Sequence, residues 1–195
     1  MSKSNRHGKA EILRDDVYKR LKDCLPTARD RLIVAIAYWT GERMGAIVQL
    51  TSDSVYADGA RSAPSDRITF RARTRKGKKD TRQVFIHPVL AELLRAYQPP
   101  SEGWLFPSRY KKGEHITWSC IDKMLRRALL QAGLKDLGIS THSFRHTLIT
   151  RLHKGGASLK TIQAITGHRN LAVLADYIET DNDFLRETIF HLPAA

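Results

Sequence analysis

The sequence predicts a predominantly helical α+β fold, a helical bundle carrying one small antiparallel β-hairpin. Three observations predict it. Apolar residues recur at helical spacing through most of the chain. Strand alternation appears only at Arg67–Arg73 and Arg82–His87, on either side of a basic, Gly-containing turn. Leu25-Pro26, Gly41, Pro99-Pro100 and Gly155-Gly156 punctuate these stretches.

Residues 1–9 are polar, basic and without periodicity, so a disordered tail is expected there, either inert or a basic arm that tracks phosphates. Residues 10–195 are expected to form a single domain, a length that buries one sizeable core. Leu13 to Cys24 carries Val17 and Leu21 on one face and reads as a first helix, ended by Leu25-Pro26. Thr27 is an N-cap candidate for a second helix, Ala28 to Thr40, whose run from Leu32 to Ala37 marks it as buried. Gly41 breaks the chain, and a short helix is expected on to about Leu50. On that helix Arg43 projects between Ile47 and Leu50, a cation among apolar neighbours. It either meets a bound anion or snorkels at the helix end toward a carboxylate such as Asp53.

In the two strands Ile68, Phe70 and Ala72, then Val84 and Ile86, face inward, with Lys76-Gly77-Lys78-Lys79-Asp80 as the turn. Pro88 opens a helix to Tyr97, closed by Pro99-Pro100. Trp104 to Pro107 reads as a packed connector, and Ser108 to Glu114 as a basic loop. From Thr117 to Ala132 a helix turns Trp118, Ile121, Leu125, Ala128 and Leu129 inward and Lys123, Arg126 and Arg127 outward.

The stretch from Thr141 to Tyr177 concentrates the chemistry. His142 and Arg145 share a face at a spacing of three. Arg145 falls within the apolar stripe of Phe144, Leu148, Ile149 and Leu152, and no Asp or Glu occurs between Thr141 and Lys154. A guanidinium held against apolar surface is costly unless an anion meets it, from elsewhere in the fold or from a ligand, and a phosphate fits. Gly155-Gly156 stops this helix; Ser158 caps the next, bearing Leu159, Ile162 and Ile165; Gly167 suits its left-handed end. His168 then emerges just past a helix terminus, and Tyr177 follows nine residues later beside Leu171, Leu174 and Ile178. His142 and His146 have the spacing of a zinc-binding helix, but Ser143 stands where a metalloprotease needs Glu and no third ligand is evident, so no metal is expected. His146 is read as a packing residue and His153 as a solvated one.

Thirty-three Lys and Arg against 20 Asp and Glu give a net charge of +13, with a pI near 10.0. That excess points to a polyanion, and to nucleic acid before a membrane surface, because no long apolar run or cationic amphipathic helix accompanies it. Cys24 and Cys120 have neither metal nor redox spacing and are read as reduced and buried or half-buried. The N-terminus lacks a signal-peptide core, which leads to the expectation of an intracellular, cytoplasmic protein, nucleoid-associated if bacterial, or one encoded by a phage.

His142-Ser143-Phe144-Arg145-His146, then Gly167-His168, then Tyr177, with Thr40-Gly41-Glu42-Arg43 and Arg75-Lys76-Gly77-Lys78-Lys79 upstream, resemble the catalytic domain of tyrosine recombinases, the phage-type integrases. The resemblance runs from about Leu13 to Phe190. It implies that Tyr177 attacks a DNA phosphodiester to form a 3′-phosphotyrosyl link, without metal, cofactor or ATP. Arg43, Arg145, His142 and His168 would surround the phosphate, and Lys76 would protonate the leaving oxygen, with Lys78 and Lys79 as alternatives. It further implies double-stranded DNA as partner, a free monomer and a tetramer on synapsed duplexes, with a DNA-bending accessory protein as a further partner. An acidic, apolar tail (about 180–195) would dock on a neighbouring subunit or pack on its own domain.

Two departures stand out. Ala46 occupies the position where the family pattern carries an acidic residue, three after the first arginine. The separate N-terminal core-binding domain of most members is also missing, so the chain is expected to resemble short fimbrial-switch recombinases or to be a fragment. Either way, weak and salt-sensitive DNA binding is expected. Competing readings are a DNA-binding regulatory module of the same fold with little turnover, and a type IB topoisomerase-like enzyme.

Overall fold

The computed structural model describes residues 10–58, 63–74, 80–100, 103–168, 170–175 and 177, together with 186, 189 and 190. Eight helices and two strands follow in the order α1 (Asp15–Asp23), α2 (Ala28–Thr40), α3 (Met44–Ile47), β1 (Arg67–Phe70), β2 (Arg82–Phe85), α4 (Pro88–Ala96), α5 (Trp118–Gln131), α6 (Ser143–Lys154), α7 (Leu159–Thr166) and α8 (Leu171–Ala175) among these residues. The fold is α+β and mainly helical. Its one sheet is the antiparallel pair β1–β2, with Arg67 opposite Phe85 and Phe70 opposite Arg82. Among the described residues, no helix is long and apolar enough to cross a membrane.

Contacts among the described residues divide the chain into two compact units, Met1–Leu148 and Ile149–Ala195. In the first, α2 is the central element. It is buried from Leu32 to Tyr38 and packs against α3 and α4. Its ends obey local chemistry: the Thr27 hydroxyl accepts the Asp30 N–H at 3.1 Å, and Gly41 closes it in the left-handed region at φ 59°. Caps also set the start of α5, where Thr117 accepts from Cys120, and of α4, where Pro88 occupies the first turn and His87 Nδ1 accepts from Val89. Around α2 lie Val17 and Leu21 of α1, Leu90 and Leu94 of α4, and Ile121, Leu125, Ala128 and Leu129 of α5, all in one apolar cluster with Ile68 and Phe70.

The strands are shorter than their alternation suggests. β1 stops at Phe70, after which Ala72–Thr74 forms a 3-10 turn; β2 stops at Phe85. Along β2 the inward positions are Arg82 and Val84, so a cation takes a core position opposite Phe70. Two expectations about side chains are corrected. Trp118, the first residue of α5, is 50% exposed, because the first turn of that helix lines a cleft rather than the core. Cys120 is exposed, whereas Cys24 is half-buried.

The second unit is small. Ile149, which begins this unit's share of α6, Ile162 of α7 and Leu174 of α8 are fully buried together, with Leu152, Ala157 and Tyr177 packed against them. Ser158 caps α7 by accepting the Thr161 N–H at 3.1 Å, and Gly167 ends it at φ 67°. The tail expected at 1–9, the hairpin turn with Lys76, and nearly all of the C-terminal tail lie outside the described residues.

Candidate functional site

In the first unit, the turn from α2 into α3 and the entry of α6 meet at one cleft of about 470 Å³. Arg43, His142 and Arg145 line it, with Gln49, Trp118 and Arg126 among the remaining walls. The geometry begins with Gly41. A Cβ there would lie 2.8 Å from Leu148 Cδ2 and would force a left-handed backbone on a substituted residue. Because Gly41 has none, α6 approaches closely enough for Arg145 Nη1 to donate to the Gly41 carbonyl at 2.8 Å. Arg145 is 3% exposed. The carbonyl end of α2 thus meets one nitrogen of the buried guanidinium, where the sequence leads to the expectation of an anion. Gly41→Ala is expected to destabilise the protein by about 1–2 kcal/mol through the backbone alone, with a further loss from Leu148, read as a lowered melting temperature.

Arg43 is not on a helix face. It is the N-cap of α3, in extended conformation at φ −69° and ψ 140°, because α3 spans only Met44–Ile47. It is half-buried, and among the described residues its guanidinium has no hydrogen-bond or ion-pair partner. Asp53 does not serve it; that carboxylate pairs with Arg71. The residue before Arg43 is one that sequence reasoning missed. Glu42 is buried, accepts the Arg43 N–H at 2.8 Å, and forms an ion pair with Arg82 at 3.2 Å. The signal available in the sequence was weak: a carboxylate and a guanidinium forty residues apart.

The α6 entry is held by short-range hydrogen bonds. Ser143 Oγ accepts the Ser140 N–H at 3.0 Å, and Thr147 Oγ1 donates to Ser143 O at 2.7 Å while accepting the Leu13 N–H at 2.8 Å. His142 precedes the first helical residue and is exposed at the cleft wall. His146 is turned the other way, 4% exposed, with Nδ1 donating to Ala10 O at 2.6 Å. That fits the packing role read for it.

In the second unit His168 and Tyr177 come together, their ring centroids 5.6 Å apart and tilted by 51°. Thr166 Oγ1 donates to Ile162 O at 2.6 Å and lies 2.7 Å from His168 Nδ1. A hydroxyl has one proton, so with that proton on Ile162 the imidazole Nδ1 is the donor to Thr166. With the ring proton on Nδ1, Nε2 of the neutral ring is an acceptor. Among six tyrosines, Tyr177 is distinguished by its surroundings. Tyr56 and Tyr97 donate to the carbonyls of Leu94 and Leu105, and burial raises both phenols, Tyr56 to about 12. Tyr38 donates to Asp15 and stacks on Tyr18, and Tyr110 is 91% exposed on the basic loop. Tyr177 is half-buried beside an imidazole. Thus Arg43, His142 and Arg145 share one cleft, His168 and Tyr177 are neighbours, and Lys76 is outside the described residues.

The sequence pattern of the phage integrase family matches residues 11–183. Tyrosine recombinase XerA of Thermococcus kodakarensis is 31% identical over 182 residues, 90% of this chain and 60% of that protein. A crystal structure of XerA recombinase superposes with a TM-score of 0.71 at 26% identity, covering 95% of this chain and 66% of the other. A XerH site-specific recombinase bound to its difH substrate shares the fold, with a TM-score of 0.69 at 23% identity over 96% of this chain and 56% of the other. The chain spans 51%, 63% and 60% of the length of three curated relatives it matches.

Proposed function

The chain belongs to the phage integrase family, and from that premise we propose that it cleaves and rejoins duplex DNA at specific sites through a covalent 3′-phosphotyrosyl intermediate. The observation that carries this reading is the convergence of Arg43, His142 and Arg145 on one cleft. Charge builds on the phosphate oxygens as the nucleophile enters, and each preorganised donor there is worth about 3 kcal/mol. Arg43 and Arg145 supply guanidinium forks that stay charged at any working pH. His168, with Nδ1 donating to Thr166, would add a donor through Nε2 as the imidazolium. Tyr177 Oη forms the new bond to phosphorus, the bond to the 5′ oxygen breaks, His142 accepts the phenolic proton, and Lys76 delivers one to the departing 5′ oxygen. A hydroxyl from the same or a partner strand reverses the step, so one ester replaces another and no energy source is needed.

DNA as the substrate is supported by the charge of +13 and by a transposon integrase of the same fold solved in complex with transposon right end DNA. Recombination would proceed in a tetramer on paired duplexes, the C-terminal tail docking between subunits and an accessory protein bending the DNA. Binding should be strongly salt-dependent. Each phosphate neutralised contributes about −0.9 to the slope of log K against log salt, so a slope steeper than about −3 is expected for several contacts. A slope near zero in fluorescence anisotropy would remove phosphate contact as the basis of binding. The direct test is a nicked duplex carrying the repeats that flank the gene: a protein–DNA adduct that survives denaturant is expected. Duplex binding with no adduct on any such site would reassign the chain to a DNA-binding module.

A further inference from the structure

The turn between α2 and α3 contains a carboxylate where the spacing gives no reason to expect one. Arg43 is the N-cap of α3, which makes Ala46 its third helical residue. At that position a Glu side chain reaches back to the N-cap backbone N–H and closes a capping box. Ala46 has no atom to do so. Glu42 does it from the opposite direction: Oε1 accepts the Arg43 N–H at 2.8 Å, and Oε2 lies 3.2 Å from Arg82 Nε. The two side chains are 1% and 6% exposed. Arg82 also donates from Nη2 to Thr40 O at 3.2 Å and lies over the Phe70 ring at 5.6 Å. One buried carboxylate therefore joins the backbone of Arg43 to the first residue of β2.

We propose that Glu42 is a positioning residue for Arg43: the carboxylate missing at position 46 has moved to position 42, where with Arg82 it fixes the turn that aims the Arg43 guanidinium. This inference rests on the reading of Arg43 as a phosphate-gripping group. The guanidinium has no side-chain partner among the described residues, so what the fold holds at Arg43 is the backbone from which the side chain enters the cleft. That backbone is held by a pair too buried to exchange with water, and removal of one member leaves the other as an uncompensated charge. The turn and the strand are thereby coupled as one body.

The test uses the whole chain and measures single-turnover adduct formation, duplex affinity, melting temperature, and the heteronuclear NOE of Arg43 Nε by NMR. Glu42→Leu is expected to slow cleavage about 10²-fold, as a misplacement near 1 Å does, with duplex affinity unchanged and with loss of order at Arg43 Nε. Adding Ala46→Glu to Glu42→Leu restores the N-cap acceptor from the helix side and should recover part of the loss. If Glu42→Leu proves too unstable, the double variant Glu42→Met with Arg82→Met removes both charges at similar volume and keeps the fold, yet should cleave as slowly. Wild-type cleavage by that double variant overturns the proposal and leaves the pair a purely structural one. A folded Glu42→Leu with Arg43 Nε as ordered as in wild type also overturns it, and failure of Ala46→Glu to raise the rate overturns the relocation. Should wild type form no adduct, the proposed function fails, while the NOE still decides the positioning.

Discussion

Tyr177→Phe is expected to abolish the covalent adduct while leaving duplex binding and folding nearly intact. The substitution removes one oxygen and keeps the ring. That ring packs against Ile149, Ile162 and Leu174, so the apolar contacts of the second unit survive. Of the other tyrosines, Tyr56 and Tyr97 have buried phenols with raised pKa, held on backbone carbonyls, Tyr38 is bonded to Asp15, and Tyr18 is stacked on Tyr38. Tyr110, exposed on a basic loop, is the control, and Tyr110→Phe should form adduct at the wild-type rate. Wild type and Tyr177→Phe should be incubated with the same nicked duplex and resolved on a denaturing gel. Equal trapping by both would remove Tyr177 from the role of nucleophile.

Arg145→Lys carries the second-largest expected effect. The guanidinium has its Nη1 committed to the Gly41 carbonyl and is nearly inaccessible to water. A planar fork can hold that carbonyl with one nitrogen and a phosphate oxygen with another, whereas a single ammonium is a compact point charge without that geometry. Adduct formation should fall about 10²–10³-fold, the usual loss for one preorganised donor. A fall in melting temperature should accompany it, because the α2 terminus loses part of its tether. Arg43→Lys separates the two contributions: the Arg43 side chain tethers nothing among the described residues, so cleavage should fall with little change in melting temperature. If Arg145→Lys retained full cleavage, the cleft would lose its claim to the phosphate.

What could be read from the sequence was local. Thr27 and Ser158 as caps, and Gly167 as a left-handed end, depend on a hydroxyl or a missing Cβ acting within one turn, and the observed helix bounds follow them. Helix spacing puts His142 and Arg145 on one face; they do line one cleft, but His142 does so from the turn just before α6. Three features were not legible. Arg43 came off its helix wheel because α3 is a single turn, beginning after Arg43 rather than before it. Trp118 satisfies the apolar period of α5 and still faces the cleft, since periodicity identifies a face without saying where the core ends. Glu42 and Arg82 are joined only through tertiary structure, so the loss of a carboxylate at Ala46 could be noticed in sequence but its replacement could not.

The tether of Arg145 to Gly41 has a thermodynamic corollary. A long cationic side chain that waits in solvent gives up its rotational freedom when a ligand arrives, at a cost of about 1.5–2 kcal/mol. Here that freedom is surrendered during folding, long before any nucleic acid is met. On the function proposed above, the ordering cost of meeting a phosphate is correspondingly lightened, and the penalty appears instead within the free energy of folding.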